Sequence, residues 1–280
     1  MPLTPPVALF HDRLVPVEAL GLGPDNRAFR YNDGFFETII FVDGQSRWWK
    51  HHADRIRKGA AKLRLTLPDN FFERLHTWLG QLVAANGLSR GAARVRWQCW
   101  REGGGYYAPD STAATWLATA EAQEIVPPGS SGGRAGIAET VQSSPSVLAF
   151  LKGPNAALYT LAGLEKQARG LDELILLSPR GFVAEATTSA LIWLQGNTLY
   201  TPDAEATGAV SGVRLAALTT QAAAAGWRIR PVTNRPNYLE LADAVATVSV
   251  TGIRWLDQIE NHRFQPNPVR QAFHALIGGQ

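Results

Sequence analysis

The spacing of apolar residues divides the chain into short runs of strand character and a few helical stretches. Residues 7–10 and 14–17 flank His11-Asp12 and predict a hairpin. Residues 35–42 are dense in aromatic and β-branched side chains, and Asp43-Gly44 turns them toward Arg47-Trp48-Trp49 as a second hairpin. From 51 to 65 the period becomes helical, and Pro68-Asp69 opens an amphipathic helix to about residue 85, stopped by Asn86-Gly87. Residues 93–101 and 112–120 predict two strands around the glycine-rich loop 102–109. The first half therefore reads as α+β.

Residues 127–133, Pro-Pro-Gly-Ser-Ser-Gly-Gly, have the composition of a flexible connection. The expected organisation is a small α+β domain over 1–126, a linker over 127–135 and a second domain over 136–280. In that domain the pattern predicts strands at 137–141, 173–177, 181–183 and 191–194, then at 228–232 and 244–250. Helices are expected at 155–169, 212–225 and 269–276.

Composition narrows the function classes. Hydrophobic residues make up 45% and charged residues 18%, which excludes a disordered chain. The net charge of +3 comes from scattered single arginines that offer no track for a phosphate backbone, so nucleic acid is not an expected partner. The single cysteine, Cys99, excludes an intramolecular disulfide and a multi-thiolate zinc site. The start of the chain lacks the pattern of a signal peptide and no apolar span is long enough to cross a bilayer, so a soluble cytoplasmic protein is expected.

Only five of the 27 basic residues are lysine, which makes each lysine worth inspection. Lys152 is the one charged residue between Glu139 and Glu165, at a strand-to-helix transition. Desolvation favours the neutral, nucleophilic amine that a Schiff-base lysine needs; the alternative is a lysine that snorkels to water. Glu185 stands alone beside Thr187-Thr188-Ser189, where it could hold a protonated ring nitrogen or merely cap a turn. The segment 208–214 places glycines before a helix, where free amides and the helix dipole favour an anion. Arg55 lies near the start of another helix, where its guanidinium could reach a phosphate or simply face solvent. No triphosphate loop, dinucleotide fingerprint or His-Glu-x-x-His motif is present, and no metal is expected.

Taken in order, these segments resemble the class IV aminotransferase family, the fold-type IV enzymes that use pyridoxal 5′-phosphate. Residues 32–38, Asn-Asp-Gly-Phe-Phe-Glu-Thr, are similar to the family's Gly-Asp-Gly-x-Phe-Glu-Thr strand, which implies that Phe36 lines the substrate pocket. His52-Ala53-Asp54-Arg55 resembles His-x-x-Arg, implying that Arg55 contacts the cofactor phosphate. Leu151-Lys152, with Asn155 three residues on, resembles the lysine segment, making Lys152 the implied Schiff-base residue and proton shuttle. Residues 183–189 resemble Val-x-Glu-x-Ser-Ser-Ser, which puts Glu185 against the pyridine nitrogen with Thr187 and Thr188 nearby. Residues 208–213 resemble a phosphate loop, with the Val213 and Arg214 amides as donors. Ser249 and Thr251 fall where a second phosphate-side hydroxyl loop is implied.

The resemblance implies a two-domain α+β / α/β fold, the larger domain carrying a mixed barrel-like sheet. It also implies a homodimer and an amino acid and a 2-oxo acid as substrates. Two departures bear on chemistry. Arg214-Leu215 replaces the family's Thr-Arg, and the loop after Arg101 lacks the Arg-x-His carboxylate trap of D-amino-acid members. Arg101 and Arg254 are the candidates for substrate carboxylates, with Tyr106 or Tyr107 closing the pocket. Transamination is the leading expectation. The alternatives are a 4-amino-4-deoxychorismate lyase, releasing 4-aminobenzoate and pyruvate, and a catalytically idle binding protein of the same fold.

Overall fold

The structure is a computed structural model that describes residues 6–127, 129–153 and 156–277. Pro128 of the expected linker, Asn155 of the expected lysine segment and Met1 lie outside those residues. The chain forms two compact units. One takes in the chain up to Ile125 together with the segment from Leu151; the other takes in Val126–Phe150 and the chain beyond that segment.

The first unit is built on one antiparallel sheet. The expected hairpin is β1 (Val7–Phe10) and β2 (Arg13–Pro16), and a short helix α1 (Arg27–Tyr31) follows. Then come β3 (Gly34–Val42), β4 (Gln45–Ser46), helices α2 (Trp49–Lys62) and α3 (Phe71–Ala85), and strands β5 (Ala92–Arg101) and β6 (Ala114–Ala122). Sheet order is β2-β1-β6-β5-β3-β4. Alternation aims Phe35, Ile39 and Phe41 of β3 and Val95, Trp97 and Cys99 of β5 into the core, where all are buried. Helix α3 meets it with Phe71, Leu75, Leu79 and Leu82, spaced to share one helical face. The second hairpin is shorter than expected. Trp48 takes a left-handed turn, with φ 55°, and Trp49 begins α2, its ring stacked on His76 at 4.7 Å instead of joining the sheet.

The second unit combines strands β7 (Arg134–Ile137), β8 (Glu173–Leu177), β9 (Val183–Ala186), β10 (Ala190–Gln195) and β11 (Thr198–Pro202) with β12 (Arg228–Val232), β13 (Ala244–Ser249) and β14 (Gly252–Trp255). Two short strands, β15 (Gln258–Ile259) and β16 (His262–Arg263), complete the set. Its helices are α4 (Ala156–Ala168), α5 (Ala204–Thr207), α6 (Val213–Ala224) and α7 (Pro268–Ile277). The expected barrel-like sheet is realised as two mixed five-stranded sheets, β12-β11-β10-β13-β14 and β16-β15-β7-β8-β9, with no closed barrel among the described residues.

Strand β7 ends at Ile137, earlier than the apolar pattern suggested. The Glu139 and Thr140 amides donate to the Glu165 carboxylate, each at 2.9 Å, and this draws the chain off the sheet edge. Strand β9 starts later than expected because Gly181, with φ 76°, belongs to the turn before it. Strands β11 and β14 carried no clear apolar signal.

Glycine 34 marks a close approach within the first sheet: a Cβ there would sit 2.2 Å from the Cys99 carbonyl oxygen and 2.8 Å from Trp100 Cα. Gly80, inside α3, has open space around it. Gly34→Ala is therefore expected to destabilise by about 1–3 kcal/mol. Gly80→Ala is expected to stabilise by about 0.4–1 kcal/mol. Urea midpoints at constant slope check both.

Candidate functional site

Lys152 belongs structurally to the first unit, far downstream of that unit's last strand. Its carbonyl accepts the Phe36 amide at 2.9 Å, and the Asn32 side chain donates to the Gly153 carbonyl at 2.7 Å. Gly153 has φ 132°, and a Cβ there would lie 3.0 Å from Phe35 Cα, so the chain passes flat against β3. Leu151 is buried, its side chain against Gly59 of α2. The lysine's backbone is thus clamped to the strand that carries the Asn-Asp-Gly-Phe-Phe-Glu-Thr motif.

Beneath it lies a buried cluster of charge. The face of α2 that meets the sheet carries His52, Arg55, Ile56 and Gly59 at helical spacing, so two polar residues occupy core positions. Both point at Glu37 of β3, which is 0% exposed. Arg55 donates Nε to Oε1 at 2.6 Å and Nη2 to Oε2 at 2.7 Å, a bidentate pair. His52 Nδ1 lies 2.6 Å from Glu37 Oε2. Burial pushes the Glu37 carboxyl upward, but the Arg55 charge and the bonds from His52 and Arg55 outweigh it and hold the group at about 2. Burial likewise pushes the His52 imidazole down against the pull of Glu37, with the Arg55 and Lys152 charges adding to the effect. An ionised Glu37 only accepts, so Nδ1 carries the imidazole proton and Nε2 presents a lone pair. That Nε2 is buried and has no hydrogen-bond partner among the described residues. Sequence reading gave Glu37 and His52 no role of their own; polar residues on the inward face of α2 were the available signal.

The other first-unit candidates divide. Phe36 is half-buried, and the Arg96 guanidinium of β5 stacks 3.7 Å from its ring centre. Burial first and then the neighbouring Arg94 charge lower the Arg96 pKa, the signature of a cation short of compensation. Arg101 is buried and committed to the fold: it donates to Asp33 at 3.0 Å and to the Leu63 and Arg64 carbonyls at 2.6 and 3.3 Å. Tyr106 and Tyr107 are 77% and 91% exposed, on a loop held through its carbonyls by Arg27.

In the second unit Glu185, on β9, is 4% exposed. Its Oε1 accepts the Tyr159 hydroxyl at 2.6 Å and its Oε2 accepts the Val210 amide at 3.1 Å. Tyr159, on α4, carried no sequence signal beyond being a helical aromatic. Thr187 is buried and bonds the Leu174 carbonyl through its amide and hydroxyl, whereas Thr188 is exposed. Val213 opens α6, whose N-cap Gly212 offers no side-chain cap, so first-turn amides stand outside the helical ladder. Arg214, the next residue, is buried. The Ser249 and Thr251 hydroxyls meet at 2.9 Å at the turn between β13 and β14. Arg254 is exposed on β14, opposite Thr247. Among the described residues, no group of three or more His, Cys, Asp and Glu is placed to hold a metal ion, and no helix is long and apolar enough to cross a membrane.

The Glu37 cluster sets an acid limit on folding. Its folded pKa of about 2 lies below the model-compound value of 4.5, so its stabilisation is complete above pH 4.5 and is lost as pH falls through about 2. Glu37→Gln leaves the Arg55 charge without its counter-ion and is expected to cost about 3–5 kcal/mol at neutral pH. Its stability curve should be shallower than wild type in that acid window by the share that Glu37 contributes, with Glu165, also held at about 2, still titrating there. Chemical denaturation across pH, for both proteins, checks it.

Residues 34–259 match the family described as amino-transferase class IV. A D-alanine aminotransferase of Listeria innocua serovar 6a is 31% identical over 83 residues, 30% of this chain and 28% of the relative. An aminodeoxychorismate lyase of Vibrio harveyi is 26% identical over 190 residues, 63% of this chain and 65% of the relative. The matched stretch spans less than two thirds of either relative. The solved branched-chain amino acid aminotransferase from Escherichia coli superposes with a TM-score of 0.85 at 19% identity, covering 99% of this chain and 94% of the other, and speaks for the fold. Another solved branched-chain amino acid aminotransferase of the same fold holds pyridoxamine 5′-phosphate. With a family match over most of its length, the chain belongs to the class IV aminotransferases, a family of pyridoxal 5′-phosphate enzymes.

Proposed function

We propose that this protein is a pyridoxal 5′-phosphate-dependent aminotransferase, moving an amino group between an amino acid and a 2-oxo acid, with Lys152 as the covalent attachment point. The observation that carries the reading is Lys152 itself: the one charge in an otherwise uncharged stretch, with its carbonyl bonded to the Phe36 amide of the motif strand. The residues fit the cofactor's chemistry. His52 Nε2 is a buried acceptor awaiting a donor, and Glu185 is a buried acid already ordered by two donors. The uncapped start of α6 suits a phosphate.

When bound, the cofactor supplies an electron sink for the carbon that carries the substrate's amino group. Lys152 Nζ would take the proton from that carbon and deliver it to the cofactor carbon that receives the amino group. Glu185 holds a proton on the cofactor's ring nitrogen. The Val213 and Arg214 amides and the Ser249 and Thr251 hydroxyls would hold the phosphate, and Arg55 is the contact to it that the family motif implies. Thr187 and Thr188 flank Glu185.

Phe36 forms one wall of the substrate pocket in this reading. We assign substrate carboxylate recognition to Arg96, stacked on Phe36, in preference to Arg101, whose donors are already engaged; Arg254 serves only if substrate reaches the exposed face of β14. A lyase releasing 4-aminobenzoate and pyruvate is the second reading, supported by the 190 residues shared with the Vibrio harveyi enzyme. The proposed form is a cytoplasmic homodimer. Exposed Phe29, Tyr106 and Tyr107 on one unit and Leu161 and Leu164 on the other are apolar surface that a second copy would cover.

Wild-type protein with pyridoxal 5′-phosphate should show a pH-sensitive absorption band that Lys152→Ala abolishes; a colourless wild type overturns the reading. Keto acid from a panel of L- and D-amino acids supports the transaminase, whereas pyruvate with 4-aminobenzoate from aminodeoxychorismate supports the lyase. Arg96→Ala should raise KM roughly 10–100-fold at unchanged Tm, while Arg101→Ala should chiefly lower stability, by about 1.5–3 kcal/mol. Light scattering should give twice the 30.4 kDa of one chain.

A further inference from the structure

The hydroxyl of half-buried Tyr159 is a donor to which the proposed reaction gives no task. Helix α4 packs on β8, and Tyr159 lies over the small core formed by Val141, Ala162, Leu174 and Leu176. Leu176 of β8 is the register partner of Glu185 on β9, so the ring crosses one strand and its hydroxyl meets Glu185 Oε1 at 2.6 Å. The second oxygen accepts the amide of Val210, in the loop that leads into α6. Two donors are thus built onto a carboxylate that is 4% exposed.

We propose that Tyr159 is a positioning residue that keeps Glu185 ionised, and thereby keeps the proton of the Glu185–cofactor pair on the ring nitrogen. The inference rests on the pyridoxal 5′-phosphate reading of the site. A carboxylate out of water is driven to take up a proton unless donors stabilise its charge. A protonated Glu185 would face an unprotonated ring nitrogen and weaken the electron sink. Burial, then the charge of Glu185 and the bond to it, raise the Tyr159 pKa well above its ordinary value. The phenol therefore stays a donor at every working pH. A carboxylate accepts through both of its oxygens, so in this reading the ring N–H joins the Tyr159 and Val210 donors on Glu185.

The test uses holoenzyme loaded with cofactor carrying nitrogen-15 in its ring, in wild type, Glu185→Gln, Tyr159→Phe and Tyr159→Met. Both Tyr159 variants delete the O–H and keep an apolar side chain, so one folded variant suffices, checked by circular dichroism. Wild type should give the nitrogen resonance of a protonated ring and Glu185→Gln that of an unprotonated one. Tyr159→Phe should shift the proton balance about tenfold toward the carboxyl, as loss of one hydrogen bond to a charged group implies. The nitrogen signal would then move toward the Glu185→Gln position, and an infrared band of a protonated carboxyl would appear. Affinity for the cofactor should stay within about threefold while kcat falls about tenfold. A nitrogen signal unchanged from wild type in a folded, loaded Tyr159 variant overturns this inference and leaves the cofactor reading intact. A wild type that takes up no cofactor fails the cofactor reading first.

Discussion

The placement of the lysine segment depends on one carboxylate. Glu37 sits in the core of the first unit without access to water, and an ionised group there persists only because Arg55 and His52 meet both of its oxygens. Those bonds lock α2 to β3. Strand β3 in turn gives its Phe36 amide to Lys152 and runs against Gly153, while α2 offers the gap at Gly59 that Leu151 fills. Lys152 therefore inherits its position from a salt bridge that its own segment does not contain. Apolar residues of similar volume can fill the space of a buried ion pair, but here they would erase the fixed charges beside the lysine.

The second unit handles the buried acid Glu185 differently. Glu185 has a phenol and a backbone amide as donors among its contacts, and so remains able to interact with a cationic partner. Glu37 is matched to a guanidinium and an imidazole and is held near pKa 2, which suits a structural counter-ion. Two buried carboxylates in one chain are thereby given separate tasks by their donors, one fixing backbone and one addressing a ligand in the reading we propose.

Much of this was legible in the sequence. Helix α3 was visible because Phe71, Leu75, Leu79 and Leu82 repeat at helical spacing between strong start and stop signals. Lys152 and Glu185 stood out as isolated charges in apolar surroundings. The remainder depended on contacts between distant residues. Strand β7 was misplaced because Glu165, remote in sequence, captures the two amides that would have continued it. Strand β11 contains Thr198, Thr201 and Pro202 and is held by its neighbours β10 and β12, not by an apolar pattern of its own. The engagement of Arg101 with Asp33 and two carbonyls, the stacking of Arg96 on Phe36 and the reach of Tyr159 across β8 cannot be inferred from local composition.

The scarcity of lysine makes the assignment of Lys152 directly measurable. Protein loaded with pyridoxal 5′-phosphate is reduced with borohydride, digested and mapped by mass spectrometry. The expected product is a phosphopyridoxyl adduct on the peptide that contains Lys152 and on no other. An adduct on Lys50, Lys58, Lys62 or Lys166, or none at all, would contradict the assignment.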